Sequence, residues 1–414
     1  MNFKGHSASR TVLLPEVVEL NPRSFTVPIS DGDPLSFVPM KVVEEESGRM
    51  NPSEVKSWKE VKKGYTPFQN GDVVFAKITP CMENGKYALA CDLHGGRGAG
   101  STEFHVFRPR QEIDAHYLLH FLFSDKVRVA ARLNMRGAAG QLRVPISFFE
   151  QLQIPLPPLD EQCAIVAEIE KQFTRLEAGV DALKRVQANL KRYRAAVLKS
   201  ACEGKLFTTA EKWPQKPIAD VIESMEQGWS PKCESEPSID DSTWAVIKTT
   251  AIQNLRFIEV ENKRLPSSLK PRSHIELFEG DLLVTRAGPR NRVGVACLIK
   301  KGTRPRLMLC DKAYRLRCKL NLLMPAFLEL VLNAPHIVDA VSNLKTGISD
   351  SGVNLTQKRF GELFIPLPSL SEQKRIVEEV ERRLSVIEEL EATVSTNLQR
   401  ATRLRQSILQ KAFN

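Results

Sequence analysis

Ile154-Pro-Leu-Pro-Pro-Leu-Asp-Glu-Gln162 recurs 211 residues later as Ile365-Pro-Leu-Pro-Ser-Leu-Ser-Glu-Gln373. The match runs on without a gap. Ile165-Val166 fall on Ile376-Val377, Glu168 on Glu379, Glu170 on Glu381, and Arg192 and Arg194 on Arg403 and Arg405. About a third of positions 154–202 equal their partners. Upstream, at offsets of 209 to 210, Gly71-Asp-Val-Val-Phe-Ala-Lys77 answers Gly280-Asp-Leu-Leu-Val-Thr-Arg286, Val106-Phe107-Arg108 answers Arg315-Leu316-Arg317, and Gly137 answers Gly347. Such self-similarity is a tandem duplication with the order globule, helix, globule, helix.

The repeated segments read as long helices. Pro155, Pro157 and Pro158 mark the start of the first, and Asp160 and Ser371 are suited to cap the two. Apolar residues then recur every seven positions: Ile169, Leu176, Leu183, Leu190 and Val197, and again Val380, Ile387, Val394, Ala401 and Ile408. Phe173, Val180, Leu384 and Leu398 form a second stripe, interrupted by Gln187, Arg194, Glu391 and Arg405. Five heptads with a charged outer face predict a coiled-coil pair. Packed antiparallel, the two would form a spacer of pseudo-twofold symmetry, returning Phe413 near the chain start. At ~1.5 Å per residue each rod is roughly 65 Å long. Gly204 is the expected stop of the first.

The globules, 1–153 and 207–364, mix strand-like runs with helical patterns at 115–131 and 325–344, which predicts an α+β fold with mainly antiparallel sheet. A Gly-Asp turn signal precedes a strand in each copy. The expected domains are thus 1–153, helix 154–206, 207–364 and helix 365–414.

Composition narrows the function. The 414 residues carry 59 Lys+Arg against 49 Asp+Glu, a net +10 that favours a polyanionic partner. The second globule is the more basic, with 23 cationic and 18 acidic residues. No apolar run approaches the ~18 residues of a membrane span, and MNFKGHSASR has no apolar signal core, which predicts a chain kept inside the cell. Eight cysteines without a C-x-x-C pair read as buried thiols rather than a zinc site.

Catalytic signatures are missing. Asn21-Pro22-Arg23 and Asn51-Pro52-Ser53 do not fit the loop an adenine methyltransferase needs. There is no G-x-x-x-x-G-K-[ST] loop for ATP. Gly96-Arg97-Gly98-Ala99-Gly100 follows no strand-to-helix unit and reads as a surface loop, with a loop near DNA as the alternative. Glu54 with Lys56, and Glu261 with Lys263, mimic a nuclease pattern common by chance in charged chains. His116 and His120 share a helix face without a third ligand, which predicts a partly exposed helix.

The paired I-P-L-P-x-L-x-E-Q stretches, each entering a long helix, with Gly71–Lys86 and Gly280–Val295, resemble the specificity subunit of type I restriction–modification systems. The resemblance covers nearly the whole chain. It implies two α/β target-recognition domains separated by two conserved helices, each domain reading half of a bipartite double-stranded DNA target. It implies no catalytic activity in this subunit. Its partners would be two modification subunits, which methylate adenine with S-adenosylmethionine, and restriction subunits that use ATP and Mg2+, in a bacterial or archaeal cytoplasm. The rivals are a free-standing methyltransferase or nuclease, against which the missing loops speak, and a coiled-coil adaptor without a DNA role. Rod length would set the spacing of the half-sites.

Candidate DNA contacts in the first globule are Lys77, Thr79, Arg97, Arg132, Arg136, Gln141 and Arg143. Arg128, Arg132 and Arg136 would share one helix face suited to phosphates. In the second globule they are Thr285, Arg286, Arg290, Asn291, Arg292, Lys345, Ser349 and Ser351. Arg suits guanine and Asn suits adenine through paired hydrogen bonds.

Overall fold

The computed structural model describes residues 10–138, 140–207, 213–347 and 350–413. They form two compact units, 1–183 with 395–414, and 184–394. Among the described residues no helix is long and apolar enough to cross a membrane.

The first unit starts with β1 (Arg10–Leu13) and β2 (Val18–Leu20). It continues through β3 (Pro34–Val38), β4 (Glu54–Ser57), β5 (Thr66–Gln69), β6 (Val73–Ala76), β7 (Tyr87–Leu89), β8 (Arg97–Gly100) and β9 (Phe104–Pro109), and its last strand is β10 (Gln153–Leu156). One sheet, in the order β2-β9-β6-β7, is wholly antiparallel, with Val73 opposite Phe107 and Ala76 opposite Phe104. The other, β4-β3-β8-β5, has one parallel pair, β3 with β8. The second unit repeats this plan. Its strands β11 (Gln215–Pro217), β12 (Ile222–Gln227), β13 (Ala245–Ile247), β14 (Asn262–Arg264), β15 (Leu282–Thr285), β16 (Ala287–Gly288), β17 (Ala296–Leu298), β18 (Leu307–Met308), β19 (Ala313–Cys318), β20 (Val353–Asn354) and β21 (Phe364–Pro366) include an antiparallel sheet β12-β19-β15-β17. A second sheet there, β14-β13-β18, keeps one antiparallel and one parallel pair.

The Gly-Asp signal has a physical reason. The Asp72 carboxylate accepts the Gln69 N–H at 2.8 Å, and Asp281 accepts that of Phe278 at 2.9 Å, closing the turn before β6 and β15. Each carboxylate also pairs with arginine on the neighbouring strand, Asp72 with Arg108 and Asp281 with Arg315 and Arg317.

The helical stretches expected at 115–131 and 325–344 are each broken in two: α1 (Ala115–Phe123) and α2 (Asp125–Leu133), then α4 (Pro325–Leu332) and α5 (Pro335–Leu344), with the rod α3 (Leu159–Cys202) between the pairs. The Ser124 hydroxyl bonds the Phe121 carbonyl at 2.7 Å and ends α1, while Pro335 cannot extend α4. The glycine-rich 96–100 stretch is not a loop. Most of it is β8, where a Cβ on Gly98 would lie 2.7 Å from Phe68 and one on Gly100 2.4 Å from the Val38 carbonyl. Glycine there lets the strand sit against its neighbours. Four cysteines are buried, but Cys91 and Cys163 are exposed.

The rods are α3 and α6 (Leu370–Ala412). They begin one residue earlier than expected, so Asp160 and Ser371 lie within the first turn and Ser369 takes the capping position of the second, accepting the Glu372 N–H. Just beyond α3, Gly204 has φ +69° and the Lys205 N–H bonds the Ser200 carbonyl. Every apolar seam residue is buried or half-buried. Three of the four polar interruptions, Arg194, Glu391 and Arg405, are paired across the helices, and Gln187 is exposed. In the first unit Arg405 meets Glu177 at 3.5 Å and covers the Phe173 ring. In the second, Arg194 meets Glu388 at 3.6 Å and Glu391 at 3.2 Å. Arg405–Glu177 and Arg194–Glu388 are the same pair in the two repeats, since both residues differ by 211. In each unit the start of one rod meets the later part of the other, an antiparallel coiled coil. Phe413 packs against Tyr117 and Phe121.

The motif's last residue joins globule to rod. Gln162 is fully buried. Its amide donates to the Pro157 and Glu112 carbonyls at 2.8 and 3.0 Å and accepts the Asp114 N–H at 2.8 Å. Gln373 repeats this with Pro368, Leu322 and Met324. Asp114 and Met324 immediately precede α1 and α4, so each glutamine fixes a globule helix to the root of a rod. The antiparallel pairs β1–β10 and β11–β21 add a second tie. Gln162→Leu fills similar space but strands a buried N–H and two carbonyls. It should cost about 3 kcal/mol in urea unfolding of the first unit. A loss below 0.5 kcal/mol would mean that the glutamine is incidental.

Candidate nucleic-acid interface

Apart from Arg97, the sequence nominated two segments per globule, one after the central strand and one before the rod. In both units the fold brings these two segments together. In the first, Lys77–Thr79 continues from β6 and pairs with 142–144. The Thr79 N–H bonds the Leu142 carbonyl and the Val144 N–H bonds the Lys77 carbonyl, both at 2.9 Å. The Thr79 hydroxyl also accepts the Leu142 N–H and donates to the Gly140 carbonyl. The loop closes on a bridge between Arg136 and Arg143.

The second unit builds the same frame. The Leu355 N–H bonds the Arg286 carbonyl at 2.8 Å, β16 pairs with β20, and Thr346 bridges Asn354. Gly137 and Gly347 both have φ +134°, and a Cβ on either would approach a carbonyl across the loop to within 2.7 and 2.6 Å. The loops turn back on themselves only with glycine there.

One further bond ties strand to loop. His105 is buried on β9; its Nε2–H donates to the Val144 carbonyl at 2.8 Å, and Nδ1 accepts from Asn21. The Tyr314 hydroxyl on β19 does the same for Leu355 at 2.9 Å. Burial holds the His105 ring near a pKa of about 4, with Lys77 adding to the effect against the opposing Val144 bond and Glu103.

The side chains differ sharply between the units. In the first, Arg132, Arg136 and Gln141 are exposed, and the first two side chains have no hydrogen bond or ion pair among the described residues. Arg143 forms a two-pronged pair with Glu103 at 2.8 and 2.9 Å, which holds that carboxyl below its ordinary range. Lys77 is half-buried beside them. Helix α2 ends at Leu133, so Arg136 lies beyond it and does not share its face. Arg128 is tied to the Glu83 carbonyl and Glu46 and stacks over Phe123. Arg97 stands apart on β8, bonded to the Pro28 carbonyl and near Asp33.

In the second unit the nominated cations are engaged. Arg286 donates to the Asp311 carbonyl at 2.7 Å. Arg290 pairs with Asp350 at 2.8 Å. Arg292 donates to Gln253 and to the carbonyls of Thr249 and Ile252, a structural role. Lys345 donates to the Arg290 carbonyl, and burial, helped by the Arg290 charge, lowers its pKa. Thr285 is 1% exposed and bonds the Arg292 carbonyl and the Val295 N–H, which removes it from the surface. Asn291 and Ser351 are exposed. Ser349 lies outside the described residues. Sequence reasoning missed Thr346, Asn354, Glu103, His105 and Tyr314. Extending the repeat alignment through the two bridged loops would have found the first two.

His120 departs from expectation. It is 6% exposed, both ring nitrogens lack a partner among the described residues, and the Phe173 ring packs against it. Burial lowers its pKa to about 3, with His116 and Arg405 adding to the shift.

Comparisons with known proteins follow the same outline. The profile of the family described as "Type I restriction modification DNA specificity domain" matches residues 23–184. The chain is 32% identical to the type I restriction enzyme EcoEI specificity subunit of Escherichia coli, an alignment covering 97% of this chain and 82% of that one. It is 26% identical to the EcoAI specificity subunit over the same shares. Among solved structures, a chain from work on complex assembly and conformational transition of the type I R-M system superposes with a TM-score of 0.78, at 21% identity and 99% of both chains. The HsdS subunit of Thermoanaerobacter tengcongensis gives 0.58, at 22% identity over 98% of this chain and 96% of that one.

The two buried histidines predict a steeper acid response in the first unit than in the second. His105 and His120 are held neutral in the fold, with pKa values of about 4 and about 3, below the ordinary 6.5. The unfolded chain therefore binds the extra protons first. Their stabilisation is complete above pH ~6.5 and declines as pH falls toward 4. Between pH 7 and 4.5 each histidine should withdraw about 2.5 kcal/mol, so the first unit should lose up to about 5 kcal/mol relative to the second, read by segment-resolved hydrogen exchange. Equal losses in both units would contradict the assignment. His120→Phe should reduce the first unit's loss.

Proposed function

The chain belongs to the specificity subunits of type I restriction–modification enzymes, and from that premise we propose that the two bridged loop clusters each read one half of a bipartite DNA target. The observation that carries this reading is the shared frame of the loops. One backbone construction, with its positive-φ glycine and its tether to the sheet, presents Arg136 and Arg143 in one unit and Thr346 and Asn354 in the other. A reader of two unlike half-sites needs such a fixed frame with variable tips, because direct readout depends on side-chain donors and acceptors placed within hydrogen-bonding distance of base edges.

Specificity subunits are the non-catalytic components of these enzymes. On this reading 1–153 and 207–364 are the target-recognition domains. The helix pair sets the spacing of the half-sites and docks two modification subunits. Those subunits carry S-adenosylmethionine, and restriction subunits carry ATP and Mg2+. The assembly would work on double-stranded DNA in the bacterial cytoplasm.

The test is a domain exchange. Replacing 207–364 with the corresponding domain of another specificity subunit, and mapping methylated adenines in cells expressing the modification subunits, should change one half of the target and leave the other intact. A change in both halves would refute independent reading.

A further inference from the structure

The repeat puts unlike chemistry on one backbone position. Arg136 and Arg143 exchange N–H···O bonds of 2.9 and 2.8 Å, and Thr346 and Asn354 exchange bonds of 2.8 and 2.7 Å. The same glycine geometry follows the first member in each case. The frame is therefore constant while the side chains change from two cations to two neutral groups.

The surroundings sharpen the contrast. Arg136 is exposed and its guanidinium makes no hydrogen bond among the described residues, whereas Glu103 holds one edge of Arg143. Arg136 is thus the member with its full set of donors available. In the second unit the Thr346 hydroxyl donates to the Asn354 carbonyl at 3.2 Å, which occupies it locally. The Asn354 side chain is exposed and its amide has no partner among the described residues. The nearby cations Arg290 and Lys345 are bonded within the loop cluster, so the exposed amide, not charge, is the chemistry this bridge offers.

We propose that this bridged pair is a specificity-determining element of each unit: Arg136 reads a guanine in the first half-site, and Asn354 reads an adenine in the second. The assignment rests on the DNA-reading function above. A guanidinium fork matches the O6 and N7 acceptors of guanine, and a carboxamide matches the N6 donor and N7 acceptor of adenine.

The experiment uses the full chain assembled with its modification subunits and a randomised-target binding selection, repeated across a salt series. Arg136→Ala should relax one position of the first half-site, with roughly five- to hundredfold loss of discrimination, and reduce the slope of log affinity against log salt by about 1. Arg136→Lys should keep the slope and lose the discrimination, because charge remains while the fork is gone. Asn354→Ala should relax one position of the second half-site and leave the slope unchanged; Asn354→Asp, close in shape, controls for folding and should also lose the adenine preference. Sedimentation verifies assembly of each variant. Uniform weakening on all targets by Arg136→Ala, or an unaltered second half-site with Asn354→Ala, would overturn the proposal. A wild-type complex with no sequence preference would instead refute the DNA-reading function itself.

Discussion

A buried carboxamide underlies each half of this molecule. Gln162 and Gln373 have no exposed surface, and each satisfies both ends of its side chain on the main chain of two different elements. A buried amide is costly unless fully bonded, so the helix root and the residue preceding the globule's first long helix can meet in only one geometry. The loops that carry the candidate contacts enter the rods through short strands beside these glutamines, β10 and β21. Their placement depends on that joint.

Charge is organised less simply than its distribution along the chain suggests. The second globule holds the larger excess of cations, yet many are consumed inside the fold. Arg315 is 1% exposed and bonded to Glu226, Asp281 and the carbonyls of His274 and Glu276. Arg304 binds the carbonyls of Asp240 and Thr243, and Arg292 those of Thr249 and Ile252. Guanidinium groups, with five donors in a rigid fork, serve as internal struts where irregular chain leaves carbonyls without partners. The less basic first globule leaves Arg132 and Arg136 available. Electrostatic attraction to phosphate depends on such free cations, not on the count.

Much of the architecture was legible in one sequence because duplication and periodicity are local signals. The seam residues from Ile169 to Ile408, the strands after Gly71 and Gly280, and the stop near Gly204 could be read from spacing alone. The breaks at Ser124 and Pro335 were harder, since the apolar pattern runs straight through them. Gly98 and Gly100 suggested a loop, because the contacts with Phe68 and Val38 that require glycine come from distant parts of the chain. For the site, the segments were legible and the individual side chains were not. Whether an arginine faces solvent or a carbonyl forty residues away is decided by packing, as Arg292 and Arg136 illustrate in opposite directions.

The central claim, that both units present DNA with the same bridged loop, is tested most directly by hydrogen exchange on the assembled complex with and without its cognate DNA. The account predicts slowed exchange at the amides of Arg136, Arg143, Thr346 and Asn354 and their loops, in both units together, and no change on β8 around Arg97. Protection confined to one unit, or centred on β8 while the bridged loops stay unaltered, would contradict it.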